Sequence, residues 1–308
     1  MTSIAQQRVP QALEARVLDA GEWGYALQLA LQDPVANILA ITHLERALRW
    51  QDYHGEVWGF PAQGELEAVC WSGANLIPIV PSWQDDPSVK EHALRAFGEL
   101  GTQLGRRSSS IVGTAELVMP LWNSLGGMWQ RPRQVRSNQP SMIMTTVPQG
   151  LIDSKVRPAT DLDFDGLFPA SVRMFIEEVG ISPLSFGSSQ YAMRVRELIA
   201  EKRTLVRMHD DTTYDAHTHR NDAHEEVLFK ADFGALAAGV AQIQGVWIDP
   251  HYRGRGYAVP AVAQTVAYGL ENFASTVSLY VNDYNYRALK AYRKVGFEQI
   301  GEYATILF

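Results

Sequence analysis

The region that most constrains the fold runs from Gln244 to Phe273, where a strand, a tight glycine loop and a helix are predicted in succession. The apolar run Val246-Trp247-Ile248 favours a strand, and Pro250 ends it because proline has no N–H to donate to a strand ladder. Beyond the loop, apolar residues recur at helical spacing: Val259, Val262, Ala263, Val266, Leu270 and Phe273. This spacing predicts a helix with one buried face.

The loop between this strand and helix reads Arg253-Gly254-Arg255-Gly256-Tyr257-Ala258. Gly256 and the small Ala258 let the backbone approach a ligand closely. The unpaired N–H groups of a helix start favour an anion such as a pyrophosphate, and the two arginines add permanent positive charge. The alternative interpretation is an ordinary glycine turn with two solvated arginines.

A second motif follows the alternating apolar residues of 277–281, which predict the next strand. It consists of Asn285, Ala288, Tyr292 and the pair Gly296-Phe297. Asn285 is a suitable N-cap for a helix, and Gly296 lies where helices commonly end in a left-handed residue.

Together, in this order and at this separation, the two motifs resemble the GNAT superfamily of acetyl-CoA-dependent N-acyltransferases. The resemblance implies an α/β (α+β) fold with a mixed central sheet and flanking helices. It also implies acetyl-CoA as cosubstrate, no metal, and direct attack of a primary amine on the thioester. The cofactor-binding residues that it implies are Val246, Trp247, Ile248, Arg253, Gly254, Arg255, Gly256, Tyr257, Ala258 and Asn285.

The resemblance also implies catalytic roles. Tyr292 occupies the position of the tyrosine that hydrogen-bonds the coenzyme sulfur in this family, so we expect it to act as general acid. The alternative is a core tyrosine that only packs. For the general base, Glu177 and Glu178 are the candidates, because they precede the connection that borders the acceptor site in GNAT proteins. Two solvated acids, with a chain of waters as the base, are the alternative.

The 308 residues are enough for two domains. Pro148-Gln149-Gly150 is a plausible boundary, which gives domains at 1–149 and 150–308. The first half shows a similar succession of predicted strands and helices, but none of its strands leads into an Arg-x-x-Gly-x-Gly/Ala loop. We therefore expect a degenerate GNAT-like domain without a cofactor loop, followed by an acetyl-CoA-binding domain.

Composition excludes several classes of protein. A net charge of −7 argues against a nucleic-acid partner, and the single cysteine, Cys70, excludes an internal disulfide. No apolar run is long enough to span a bilayer, so we expect a cytoplasmic protein without a membrane partner. The His-rich segment 209–224 allows a metal site through His217 and His219, but a solvated insertion is the interpretation that we favour.

Two other functions stay open. One is a non-catalytic acyl-CoA-binding regulatory module, and the other is a tandem-GNAT biosynthetic enzyme similar to mycothiol synthase. The acceptor is a small-molecule or peptide amine whose identity the sequence does not specify, and the oligomeric state is equally open.

Overall fold

The computed structural model describes residues 13–50, 54–81, 87–125, 127–209 and 227–308. The chain forms two compact units. The first unit comprises Met1–Pro140 and Gly301–Phe308, and the second comprises Ser141–Ile300. The single domain boundary between residues 149 and 150 stays a prediction, and it differs from these units in two respects. The chain leaves the first unit after Pro140, and it returns there at Gly301.

The first unit contains five strands and four helices in its described N-terminal part, followed by β6. In chain order these are β1 (Arg16–Val17), α1 (Trp23–Ala30), α2 (Ile38–Arg49), β2 (Glu56–Phe60), β3 (Ala68–Ser72), β4 (Asn75–Ile79), α3 (Pro87–Leu104), β5 (Ser110–Thr114), α4 (Ala115–Leu125) and β6 (Gln134–Met144). Strands β1 to β5 lie side by side in sequence order, and only the β4–β5 pairing is parallel.

The second unit places two helices before its central strands and two after them. In chain order its elements are β7 (Arg157–Pro158), α5 (Phe164–Val179), α6 (Ser188–Ala200), β8 (Thr204–Met208), β9 (Val227–Ala237), β10 (Val240–Ile248), α7 (Ala258–Asn272), β11 (Thr276–Tyr280), α8 (Tyr286–Val295) and β12 (Glu298–Leu307). Strands β7 to β11 are neighbours in sequence order, and the β10–β11 pairing is parallel.

Each unit is completed by a strand segment from a distant part of the sequence. Ser141–Met144, the end of β6, pairs antiparallel with β11 in the second unit. Conversely, Tyr303–Leu307 of β12 pairs antiparallel with β5 in the first unit. The hydroxyl of Tyr303 donates to the carbonyl of Ala36, with the carbonyl of Val35 also near at 3.2 Å, and Tyr303 is 2% exposed. The C-terminal strand is therefore part of the first unit's core.

In the second unit, α7 and α8 share one hydrophobic core with the sheet, whereas α5 and α6 share another. The first core includes Phe229 of β9 and Val266 of α7. The second includes Leu167 of α5, Ile199 of α6 and Trp247 of β10. Because alternate residues of a strand point to opposite faces, helices cover both faces of this mixed sheet, as predicted.

The start of α5 is anchored by a buried carboxylate. Asp163 accepts hydrogen bonds from both terminal nitrogens of Arg157 at 2.8 Å and from the backbone N–H of Thr160 at 2.7 Å. The hydrogen bond from Arg157 is the main cause that holds the pKa of Asp163 below its ordinary value, against the opposing effect of burial. This anchor fixes the helix whose other end reaches the candidate site.

Of the predicted His-rich insertion, only His209 belongs to the described residues; His217 and His219 lie outside them. In the part of the chain that the structure describes, none of the helices combines the length and apolarity needed to cross a membrane.

Candidate active site

The central feature of the second unit is a separation of two parallel strands. In the described chain, β10 pairs with β11 only from Val240 to Gln242, although β10 continues to Ile248. Beyond Gln242 the two strands diverge. Their divergence leaves one edge of β10 without a neighbouring strand, and this edge includes the predicted run Val246-Trp247-Ile248. An extended ligand can hydrogen-bond to such an edge in the way that an added strand does.

A β-bulge lies at the point of divergence. Gln244 is paired with Asp232 and Trp247 with Lys230, so β10 carries an extra residue between them. Gly245 has φ +57, and a Cβ there would lie 2.8 Å from the Cε of Met174. The positive φ is the reason that the position favours glycine, because the terminal methyl group of Met174 can move aside.

A buried ion pair supports this bulge. Lys230 is 1% exposed, and its Nζ lies 2.5 Å from Oδ2 of Asp232 and 3.5 Å from the carbonyl oxygen of Gly245. Asp232 also accepts from the hydroxyl of Thr204 at 2.8 Å. Sequence reasoning missed this pair, although a lysine and an aspartate two residues apart in an otherwise apolar strand are a detectable signal for one polar face.

The loop after β10 begins with a tight turn. The side chain of Asp249 accepts from the backbone N–H of His251 at 2.8 Å. Burial alone would raise the pKa of Asp249, but the hydrogen bonds and charge of His251, together with the charge of His209, make the net shift of this pKa downward. Oδ2 of Asp249 lies 3.5 Å from Nε2 of His209. The turn is thus held by a carboxylate that stays ionised.

In the described chain, no side chain caps the start of α7, to which this loop leads. Gly254 and Gly256 have φ values of +78 and +91, and a Cβ on either would meet no described atom within 4 Å. Tyr257 at the N-cap position makes no side-chain capping bond to any described residue. The first turn of α7 contains no acid. Its N–H groups and the positive end of its dipole are therefore available to an anion.

The two arginines of the loop are placed differently. Arg253 donates through Nε to the carbonyl of Ile248 at 2.9 Å and through Nη2 to Oε2 of Glu177 at 2.6 Å. The guanidinium carbon of Arg255 lies 4.9 Å from the ring centroid of Tyr252. The sequence did not anticipate that Arg253 would contact Glu177, one of the two candidate bases.

Tyr292 is buried on α8, with 7% of its surface exposed. Its ring makes an edge contact with Phe297 at a centroid distance of 5.8 Å. Burial raises the pKa of the Tyr292 phenol above its ordinary value, and the negative charge of Glu178 raises this pKa further.

The helix that carries Tyr292 has the predicted ends. The side chain of Asn285 accepts from the N–H of Ala288 at 3.2 Å, and Gly296 ends the helix with φ +117. The capping function of Asn285 is therefore confirmed, whereas its contact with a cofactor stays a prediction. Among the described residues, no three His, Cys, Asp or Glu side chains are grouped so that they would hold a metal ion.

Two family models match parts of this chain. Residues 216–297 match the Acetyltransferase (GNAT) family, and residues 55–167 match a domain of unknown function, DUF4081. None of the curated proteins matches the chain.

Solved structures of GNAT proteins match nearly the whole chain. A GCN5-related N-acetyltransferase from Sphaerobacter thermophilus has a TM-score of 0.58 at 15% identity, covering 96% of this chain and 95% of its own. A GNAT-family acetyltransferase from Colwellia psychrerythraea has a TM-score of 0.57 at 12% identity, covering 96% and 99%. A tandem GNAT protein from the clavulanic acid biosynthesis pathway has a TM-score of 0.56 at 11% identity, covering 96% and 98%. At such identities the likeness shows the fold, and it confirms two tandem units of this kind.

Proposed function

The second unit carries an acetyltransferase domain of the GNAT family, and from this premise we propose that the chain transfers an acetyl group from acetyl-CoA to a primary amine. The observation that carries the proposal is the divergence of β10 from β11 directly before an uncapped helix N-terminus. The first feature suits the extended pantetheine arm, and the second suits the pyrophosphate.

We assign the cofactor to three groups of residues. The loop from Arg253 to Ala258 binds the pyrophosphate through the N–H groups at the start of α7. The main chain of Val246-Trp247-Ile248 lines the pantetheine arm and polarises the thioester carbonyl. Asn285 holds the start of α8, which keeps Tyr292 directed at the thioester.

In the reaction, the amine nitrogen forms a bond to the carbonyl carbon, and the bond from that carbon to sulfur breaks. The departing thiolate takes the hydroxyl proton of Tyr292, and the attacking amine gives a proton to a base. Of the two candidate bases, we favour Glu178, because both carboxylate oxygens of Glu177 already accept hydrogen bonds from Trp247 and Arg253.

The first unit serves a different purpose, because no Arg-x-x-Gly-x-Gly/Ala sequence follows any of its strands. The connection from β4 to α3 contains no glycine, and its sequence places Asp85 and Asp86 directly before Pro87, where α3 begins. We therefore propose one acetyl-CoA site per chain.

Calorimetric titration with acetyl-CoA, followed by turnover with a panel of amines, tests the proposed function. We expect one site per chain and release of free CoA only when an amine is present. A thiol reagent reports CoA cleanly, since Cys70 is the chain's single cysteine and is buried. Two sites per chain would refute the role of the first unit. Binding without turnover by any amine would instead favour the regulatory acyl-CoA-binding module.

A further inference from the structure

The carboxylate of Glu177 links the last helical turn of α5 to the end of β10 and to the first residue of the cofactor loop. We propose that Glu177 is a positioning residue: it orients Arg253 and Trp247 so that the loop keeps one geometry for acetyl-CoA. This inference rests on the proposed function and separates the roles of the two adjacent glutamates.

Three hydrogen bonds define the link. Oε2 of Glu177 accepts from Nη2 of Arg253 at 2.6 Å, and Oε1 accepts from the indole Nε1 of Trp247 at 3.2 Å. Nε of Arg253 donates in turn to the carbonyl of Ile248 at 2.9 Å. The guanidinium is therefore held through two of its three nitrogens, and one carboxylate binds residues on both sides of the turn that ends the strand.

The position of Glu177 on α5 is unfavourable for the helix itself. The last turn contains two adjacent acids, Glu177 and Glu178, and no basic residue, and the helix ends at Gly180 with φ +81. Negative charge at a helix C-terminus interacts unfavourably with the helix dipole. The cation of Arg253 offsets this charge, so the contact with the loop, and not helix stability, accounts for an acid at this position.

The exposure of the two side chains indicates that this ion pair affects the conformation of the loop more than the free energy of unfolding. The side chains of Arg253 and Glu177 are 37% and 44% exposed, and ion pairs at such exposure are screened and contribute little to folding. The loop that follows contains Gly254 and Gly256 in left-handed conformations, so its backbone has more freedom than that of other residues. Fixing Arg253 removes part of this freedom before the cofactor arrives, which favours binding.

The test is a double-mutant cycle on acetyl-CoA binding and turnover. In Glu177→Ala and in Arg253→Ala we expect Kd and KM for acetyl-CoA to rise roughly tenfold, as interacting pairs allow. We expect kcat to stay within about threefold of wild type, because the link is not made in the transition state alone. The double variant should bind no more weakly than Arg253→Ala. Glu177→Gln should recover part of the affinity, since its amide oxygen still accepts from Trp247.

Glu197→Gln is the matched control, because the Arg194–Glu197 pair in the same unit has the same 2.6 Å distance and similar exposures of 33% and 37%. It should leave Kd unchanged. Amide hydrogen exchange over residues 249–257 in the free protein supplies a readout that needs no cofactor. Exchange there should be faster in Glu177→Ala and Arg253→Ala, and unchanged in Glu197→Gln.

Several results would overturn the proposal. A loss of kcat with unchanged KM in Glu177→Ala would identify a general base, and independent effects in the double variant would show that the pair does not act together. Unchanged exchange at 249–257 would show that the loop is not held by Glu177. Failure of the wild type to transfer acetyl groups would refute the proposed function, while altered exchange and coupled Kd values would still support the link.

Discussion

Replacing Tyr292 by phenylalanine tests the catalytic assignment most directly, because it removes one hydroxyl and keeps the ring. The ring is buried and in edge contact with Phe297 at 5.8 Å, and the variant retains that contact. We therefore expect the free energy of unfolding to change by no more than about 1 kcal/mol, the usual net contribution of one hydrogen-bonding group. The fold and the cofactor site should both survive.

The expected loss lies in the chemical step. General acid catalysis typically contributes on the order of a hundredfold or more, which corresponds to about 2.7 kcal/mol of transition-state stabilisation. In Tyr292→Phe, kcat should fall by about this factor, while Kd for acetyl-CoA stays close to wild type. Because the pKa of Tyr292 is raised, the phenol keeps its proton throughout the neutral range, so its ionisation should not limit the wild-type rate below its ordinary pKa of about 10.

The assay is single-turnover acetyl transfer, so that product release does not mask the chemical step. Tyr268→Phe is the control, because that tyrosine lies in the same unit and makes a comparable edge contact with Phe273 at 5.5 Å. It should react at the wild-type rate. A wild-type rate in Tyr292→Phe, with chemistry limiting, would show that this tyrosine only packs.

Three further predictions concern the loop, the His-rich segment and the anchor of α5. Gly256→Val should abolish acetyl-CoA binding in calorimetry, because a β-branched residue strains a position with φ +91 and its side chain meets the pyrophosphate. Replacing residues 211–225 by a short Gly-Ser turn should preserve kcat, since loop-closure entropy changes slowly with length. Asp163→Asn should lower the free energy of unfolding at neutral pH by roughly 1–3 kcal/mol, because charged hydrogen bonds from Arg157 are lost. Chemical denaturation across pH should show this difference above about pH 4, the ordinary pKa of aspartate, and its loss as pH falls through the lowered pKa of Asp163.

Each of these predictions has a contrary outcome. Wild-type affinity in Gly256→Val would remove the loop from the cofactor site. Loss of activity after the deletion, restored by added zinc, would support the metal alternative for the His-rich segment. A stability difference in Asp163→Asn that does not change with pH as the solution is acidified would show that the effect is one of packing and not of charge.

The features that the sequence predicted are those with a fixed local requirement. Certain residues suit one backbone conformation: asparagine at a helix start, glycine at a helix end, and two glycines in a loop before a helix. The sequence alone therefore indicates Asn285, Gly296 and the loop Arg253–Ala258. Their order along the chain then identified the family, which the comparisons confirmed.

The features that the sequence did not predict depend on partners far away in the chain. Strand β2 was not predicted, because a short run of consecutive buried residues shows no alternation. Strand β12 was not predicted either, because its first residues are exposed and its later ones are consecutively buried. The Glu177–Arg253 contact joins residues that are 76 positions apart. The role of Lys230 likewise depends on a distant residue, because its ammonium group contacts the carbonyl oxygen of Gly245 in the bulge. No local pattern specifies such pairings.

The exchange of strand segments between the units has a consequence for how such a protein evolves. A single recombination junction near residue 150 would deliver a first unit without Gly301–Phe308 and a second unit without Ser141–Met144. Swapping one unit between two relatives therefore requires two simultaneous junctions, one after Pro140 and one after Ile300. The two units are therefore expected to be inherited together, because the strands β6 and β12 each run from one unit into the other.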